Sequence, residues 1–186
     1  MAAPTETPYA APAIALHWII AALIAATLPL GLYMHELKLS PLKLQLYSYH
    51  KWIGVTVFAL AALRLLWRLV QSPPPALPMP AWQARMATLT HATLYVLMFA
   101  LPLTGWLHSA AAGVPTVYFG VLQLPDVVPA SKPLARTLRE IHEALSNALL
   151  AVVALHVAAV VKHHWIDRDE TLARMVPWAV RRGTDA

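Results

Sequence analysis

Four long, predominantly apolar runs constrain this 186-residue chain more than any other feature. They cover about residues 13–33, 47–70, 88–107 and 141–161. Each is near the roughly 20 residues that cross about 30 Å of hydrocarbon at about 1.5 Å per residue. Backbone inside lipid must satisfy its own hydrogen bonds, so these runs are read as helices rather than open strands. The charge content agrees: 12% of the residues are charged, against about a quarter in a soluble domain. The expectation is an all-α, integral-membrane four-helix bundle forming a single domain over residues 1–186.

The connections are legible as well. Glu36 to Lys43, with Ser40-Pro41, reads as a short loop. Ser72 to Pro80 contains Pro73, Pro74, Pro75, Pro78 and Pro80 and does not propagate a helix. Gly113 to Pro133 is longer and rich in Pro, a segment that caps the bundle or lies at the interface. Pro29 and Pro102 fall inside helices one and three, which membrane helices tolerate, with kinks. Residues 1–12 lack Lys and Arg, and the first apolar run is too long for a signal h-region, so it reads as a span rather than a secretory leader.

Lys and Arg near the helix ends set the orientation. One side collects Arg64, Arg68, Arg85, Lys162, Arg168, Arg174, Arg181 and Arg182, and the other Lys38, Lys43, Lys51, Lys132, Arg136 and Arg139. The eight-to-six excess places both termini in the cytoplasm. The net charge of +5 is read as affinity for anionic lipid and as a topology signal. Nucleic acid is set aside, because the basic residues are scattered and not interleaved with stacking aromatics. The absence of cysteine removes disulfides, iron–sulfur clusters, thiolate zinc sites and covalently attached c-type haem.

Nine histidines are many for so apolar a chain, and their depths are informative. His17 lies just inside the start of helix one and His50 just inside the start of helix two, on the opposite side. Helix four runs parallel to helix two. Its His142 is level with His50, and its His156, 14 residues on, is about 21 Å deeper, near the level of His17. Fourteen residues at about 100° each fall only about 40° short of four turns, so both lie on one face of helix four. Depth therefore pairs His17 with His156 and His50 with His142.

Haem iron has two axial positions that neutral imidazole suits. Two such pairs predict two stacked b-type haems with both axial positions filled, and hence electron transfer. Zinc prefers clustered tetrahedral ligands, and these pairs lie too far apart to share one ion. Gly54, one turn past His50, leaves space for a porphyrin face. Arg64, 14 residues past His50, is a candidate partner for a propionate, since a cation buried in a membrane helix needs an anion. His91 is a propionate contact, a quinone contact, a rival to His17 as ligand or a plain interfacial histidine. Tyr95 lies one turn further on the same face. His163 and His164, at the inner boundary, are candidates to meet a propionate, whereas His35 and His108 are expected to be solvated. The tryptophans, among them Trp18, Trp52, Trp106 and Trp165, read as an aromatic belt.

The stretches Leu16-His17-Trp18, His50-Lys51-Trp52-Ile53-Gly54, Arg64-Leu65-Leu66-Trp67-Arg68 and Ala100 to Trp106 resemble the bacterial cytochrome b561 family. So do Glu140 to Glu143, running through His156 to His163-His164, and the tail from Asp167 to Pro177. The resemblance covers about residues 9–178. It implies a four-helix, dihaem cytochrome of the bacterial inner membrane that exchanges electrons with ubiquinone. Its haem ligands map onto His17, His50, His142 and His156. One branch of the family oxidises superoxide at the periplasmic face and reduces ubiquinone. On that reading Lys51 and Arg139, with the other outer cations, steer the superoxide anion. The alternative is an electron-transfer subunit that relays electrons between quinol and a partner dehydrogenase, hydrogenase or periplasmic cytochrome, docking through the 113–133 loop. A non-redox membrane protein with structural histidines is the third reading.

Overall fold

The computed structural model describes residues 8–176. Arg181 and Arg182 of the orientation count, Pro177 of the tail motif and residues 1–7 lie outside them. Four long helices among the described residues are apolar enough to cross a membrane. They are α1 (Ala11–Glu36), α2 (Pro41–Val70), α3 (Ala81–Ala111) and α4 (Lys132–Lys162), the last continuing into a π-helical turn, His163–Asp167.

Every helix extends beyond its apolar run, and for α2 and α4 the caps supply the physical reason. Ser40 accepts a hydrogen bond from the Lys43 backbone N–H at 3.2 Å, with Pro41 opening α2. The Ser40-Pro41 pair read as loop is therefore an N-cap followed by the proline favoured in the first turn. Ser131 and Pro133 do the same for α4, where Ser131 accepts from the Leu134 N–H. This start lies nine residues before the predicted position 141. The extra turns are polar or amphipathic, so hydropathy alone does not find them.

The remaining loop segment is not wholly irregular. Val117–Tyr118 (β1) pairs antiparallel with Leu122–Gln123 (β2), Val117 opposite Gln123 and Tyr118 opposite Leu122. The turn between them passes through left-handed conformations at Phe119 (φ 50°) and Gly120 (φ 73°), favourable for glycine and costly for phenylalanine. The hairpin is fastened to the N-terminal half of α2. Trp52 Nε1 donates to Val117 O at 2.7 Å, Thr56 and Tyr118 hydroxyls lie 2.9 Å apart, and Lys51 Nζ donates to Pro115 O at 3.4 Å. Trp52 is thus a specific fastener as well as part of an interfacial belt.

The helices pack in chain order, α1 on α2, α2 on α3 and α3 on α4. A core of Ile20, Ile24, Val57, Ala61, Leu97, Met98, Leu101 and Leu149 draws on all four. Many large apolar side chains, such as Leu32, Leu66, Val96 and Val157, remain exposed on the outside of the bundle, as lipid-facing residues should. At the end of the bundle where α1 starts and α4 stops, the segment after α4 folds back as a strap. Tyr9 N–H donates to Arg174 O at 3.2 Å, Trp18 Nε1 to Met175 O at 2.8 Å, and Arg174 Nη1 to Pro75 O at 2.6 Å.

Candidate functional site

Neither α1 and α4 nor α2 and α4 rank among the close backbone packings of the bundle. Histidines reach across both gaps. The His17 and His156 rings have centroids 6.3 Å apart at 70°, and the His50 and His142 rings 6.2 Å apart at 77°. These are the pairs that helix depth predicts, two histidines on α4 facing one each from α1 and α2. With a metal about 2 Å from each imidazole nitrogen and that nitrogen about 1.1–1.2 Å from its ring centre, two axial imidazoles have centres about 6.3 Å apart. Both pairs have the spacing of two rings on opposite sides of one metal.

Hydrogen bonds orient the outer rings. His142 Nδ1 lies 3.1 Å from Leu101 O and 3.1 Å from Thr104 Oγ1, and Thr104 itself donates to Leu101 O at 2.9 Å. A carbonyl carries no proton, so Nδ1 is the donor and Nε2 keeps a free lone pair. His50 Nδ1 is held 3.0 Å from Thr27 Oγ1, where a hydroxyl serves as either donor or acceptor.

Two glycines let the same rings approach neighbouring helices closely. A Cβ on Gly31 would come within 3.2 Å of His50 Cε1, and one on Gly105 within 3.1 Å of His142 Cε1. A Cβ on Gly54 would meet no protein atom within 4 Å, which fits the space a porphyrin face requires. Thr27, Gly31 and Thr104 carry no role in the sequence reading. The clue was present, since Thr27 and Gly31 are one turn apart on an otherwise apolar helix, as are Leu101 and Gly105.

At the inner end His91 approaches His156, with ring centroids 5.5 Å apart, closer than two rings separated by one metal. Arg64 lies within electrostatic reach of His17, His91 and His156. Its Nε donates to Tyr95 OH at 3.2 Å. The Nδ1 of His163 is engaged with Asp169 at 2.6 Å and lies 3.3 Å from Asp167, which Lys162 also contacts. Burial works against ionising Asp169. Hydrogen bonds from Thr171 and His163 outweigh it and hold the carboxyl below its ordinary value. His163 thus serves first to anchor the inner strap.

The outer cations are less free than their charges suggest. Arg139 Nε pairs with Glu143 at 3.2 Å, Arg136 with Glu140 at 3.0 Å, and Lys51 is tied to the hairpin. His35 stands 3.8 Å from Glu143 and is about half exposed. His108 and Glu143 lie within electrostatic reach of His142, and His108 also within reach of Lys51 and Arg139. Lys51, His108, Arg139 and Glu143 therefore form a mixed-charge cluster beside His142.

Sequence comparison agrees with this architecture. Residues 8–178 match the family described as prokaryotic cytochrome b561. The chain is 32% identical to cytochrome b561 homolog 2 of Escherichia coli over 92% of its length and 94% of the relative's. It is 34% identical to cytochrome b561 homolog 1 of the same organism, over 87% and 93%. It is also 32% identical to the "Probable superoxide oxidase CybB" of Yersinia pestis, over 70% and 78%. The chain belongs to the prokaryotic cytochrome b561 family, bacterial membrane electron-transfer proteins whose membership implies binding of b-type haem.

Proposed function

We propose that this protein is a dihaem b-type cytochrome of the bacterial inner membrane that takes electrons from superoxide at its periplasmic face and delivers them to ubiquinone. The observation that carries the reading is the matched spacing of the two histidine pairs, 6.3 Å and 6.2 Å, stacked on one helix. Haem, when bound, supplies a one-electron couple, which suits a one-electron donor and a quinone acceptor. The resemblance to a relative named as a superoxide oxidase supports the choice of donor.

The residues divide the work. His50 and His142 hold the outer haem, and His17 and His156 the inner one. Thr27, Thr104 and the Leu101 carbonyl fix the outer ring orientations. Held by a histidine from each of two helices, each haem would have no site left for oxygen and would supply electron transfer. Gly54 admits a porphyrin face. Arg64 is the partner of an inner propionate, and His91 lies beside the inner centre rather than acting as its axial ligand, given its 5.5 Å approach to His156. Lys51 and Arg139 draw the superoxide anion toward the outer pair, with Glu143 opposing them. The Lys and Arg excess supports a cytoplasmic placement of the inner end and both termini.

Purified protein tests the reading directly. Two haems per chain, reduced on addition of superoxide and reoxidised by ubiquinone, are expected. Protein without haem, or haems indifferent to both reagents, overturns it. The relay-subunit reading is favoured by one observation, the hairpin projecting from the outer end with Val121 88% exposed. Haems that respond to quinol but not to superoxide, with a redox partner copurifying through that hairpin, would select it.

A further inference from the structure

We infer that the β1–β2 hairpin is a membrane anchor whose apolar tip is immersed in the lipid leaflet beside the His50/His142 pair, with acyl chains rather than a protein as its partner. Its contacts descend along α2. Pro115 O meets Lys51 Nζ, Val117 O meets Trp52 Nε1, and the Tyr118 hydroxyl meets that of Thr56. Thr56 stands six residues beyond His50, about 9 Å further from the start of the helix. The hairpin therefore lies against the side of a membrane helix and not above its end. The face it covers is the lipid-facing one. Leu63 is seven residues past Thr56 and 11 past Trp52, within about 20° of each around the helix, and it is 52% exposed. Tip and helix thus form one continuous apolar surface.

The tip is apolar where a solvated turn is polar. Phe119 and Gly120 hold the two central positions at positive φ, a geometry that hairpins in water fill with Asn-Gly or Asp-Gly. Here the first position is a phenylalanine, packed against Trp52 with ring centroids 5.0 Å apart. Phe119 and Leu122 are nevertheless more than half exposed, and Val121 almost wholly so. No residue from Val114 to Pro125 carries a charge. Docking of a water-soluble redox protein is steered by complementary charge, and this surface has none to offer. Backbone immersed in lipid must also have its polar groups paired. Val117 pairs with Gln123 and Tyr118 with Leu122. Val121 N–H donates to Tyr118 O at 3.1 Å and Leu124 N–H to Thr116 O at 2.9 Å. Val117 O takes the Trp52 indole N–H, and the Tyr118 hydroxyl is paired with Thr56.

The chain has no cysteine, so one introduced thiol reports one position. Val121→Cys, Leu122→Cys, Leu63→Cys and Arg136→Cys are each made in the full-length protein. Each is placed in nanodiscs of phosphatidylethanolamine and phosphatidylglycerol, one chain per disc, and reacted with a charged maleimide that does not enter lipid. Arg136, whose side chain is 81% exposed, is the water reference, and Leu63 is the lipid reference. Helix content by circular dichroism at the parental level certifies each variant. Thiols react as thiolates, which hydrocarbon excludes, so both tip thiols are expected to react at least about tenfold more slowly than Arg136→Cys, as Leu63→Cys does. All four rates are expected to converge once dodecyl sulfate unfolds the chain. Either tip thiol reacting within about twofold of Arg136→Cys overturns the inference and leaves the tip free for a soluble partner. Protection that appears only in discs holding two chains overturns it as well, because a second copy of the chain is then the cover.

Discussion

Gly105 offers a sharp test of the outer centre. A methyl group at this position would lie 3.1 Å from His142 Cε1 and 3.4 Å from Nδ1. Comfortable carbon–carbon contact needs about 3.5–4.0 Å, so the ring must retreat by about 0.4 Å or more. Metal–ligand distances tolerate only about 0.2 Å. The ring also cannot slide freely, because Nδ1 is fixed at 3.1 Å by both Leu101 O and Thr104 Oγ1. Disturbing such supporting contacts weakens metal binding about 10–100-fold, or about 1.4–2.7 kcal/mol. For Gly105→Ala, haem is quantified per chain after dilution in detergent, and the ferric low-spin signals are followed by electron paramagnetic resonance. The outer centre should lose haem or low-spin character while the inner signal stays in place. Two fully retained haems with both signals at their parental positions would refute the view that His142 is a ligand seated against that glycine.

Other outcomes follow from the same geometry. His142→Ala and His156→Ala should each reduce haem from about two per chain to about one, each removing a different optical component. A single variant that loses both would show that the centres are not independent. Gly54→Ala, whose added carbon meets no protein atom within 4 Å, should leave the helices intact by circular dichroism yet lower haem retention, and unaltered haem affinity would remove Gly54 from the site. Lys51→Gln should slow superoxide-driven reduction and flatten its salt dependence, whereas Glu143→Gln, which releases Arg139, should accelerate it; identical rates would end the steering argument. Asp169, with its carboxyl held below the ordinary value, stabilises the strap fully above that value and progressively less as pH falls through the lower folded value. Protection of the amides of residues 168–176 relative to their intrinsic exchange should therefore fall on acidification, and Asp169→Asn should abolish that pH dependence.

The membrane bundle and the pairing of four histidines were readable because both rest on simple periodicities, about 20 apolar residues per span and about 100° per residue. Helix ends were harder. Hydropathy marks where a helix is apolar, not where it stops, and the capping pair Ser40-Pro41 was mistaken for loop because serine and proline serve both roles. The supporting contacts were less visible still. Thr27 and Gly31 touch His50 only after α1 has folded against α2, a meeting across 19 or more positions that no local pattern encodes. Pairing also changed the meaning of charges. Arg139 reads as a free cation by charge alone, but Glu143, one turn later at i, i+4, lies against it.

The helices pack in chain order, while α4 meets α1 and α2 across the bundle through histidine rings. α1 with α2 and α3 with α4 form hairpins whose mutual docking rests on the α2–α3 packing and the shared core, while α4 reaches α1 and α2 through imidazoles. The cofactor on the proposed reading is then the last structural element to arrive, and it converts two associated hairpins into one body. Cells starved of haem should accumulate inserted but protease-sensitive chains, because whatever binds only the closed form draws the equilibrium toward it.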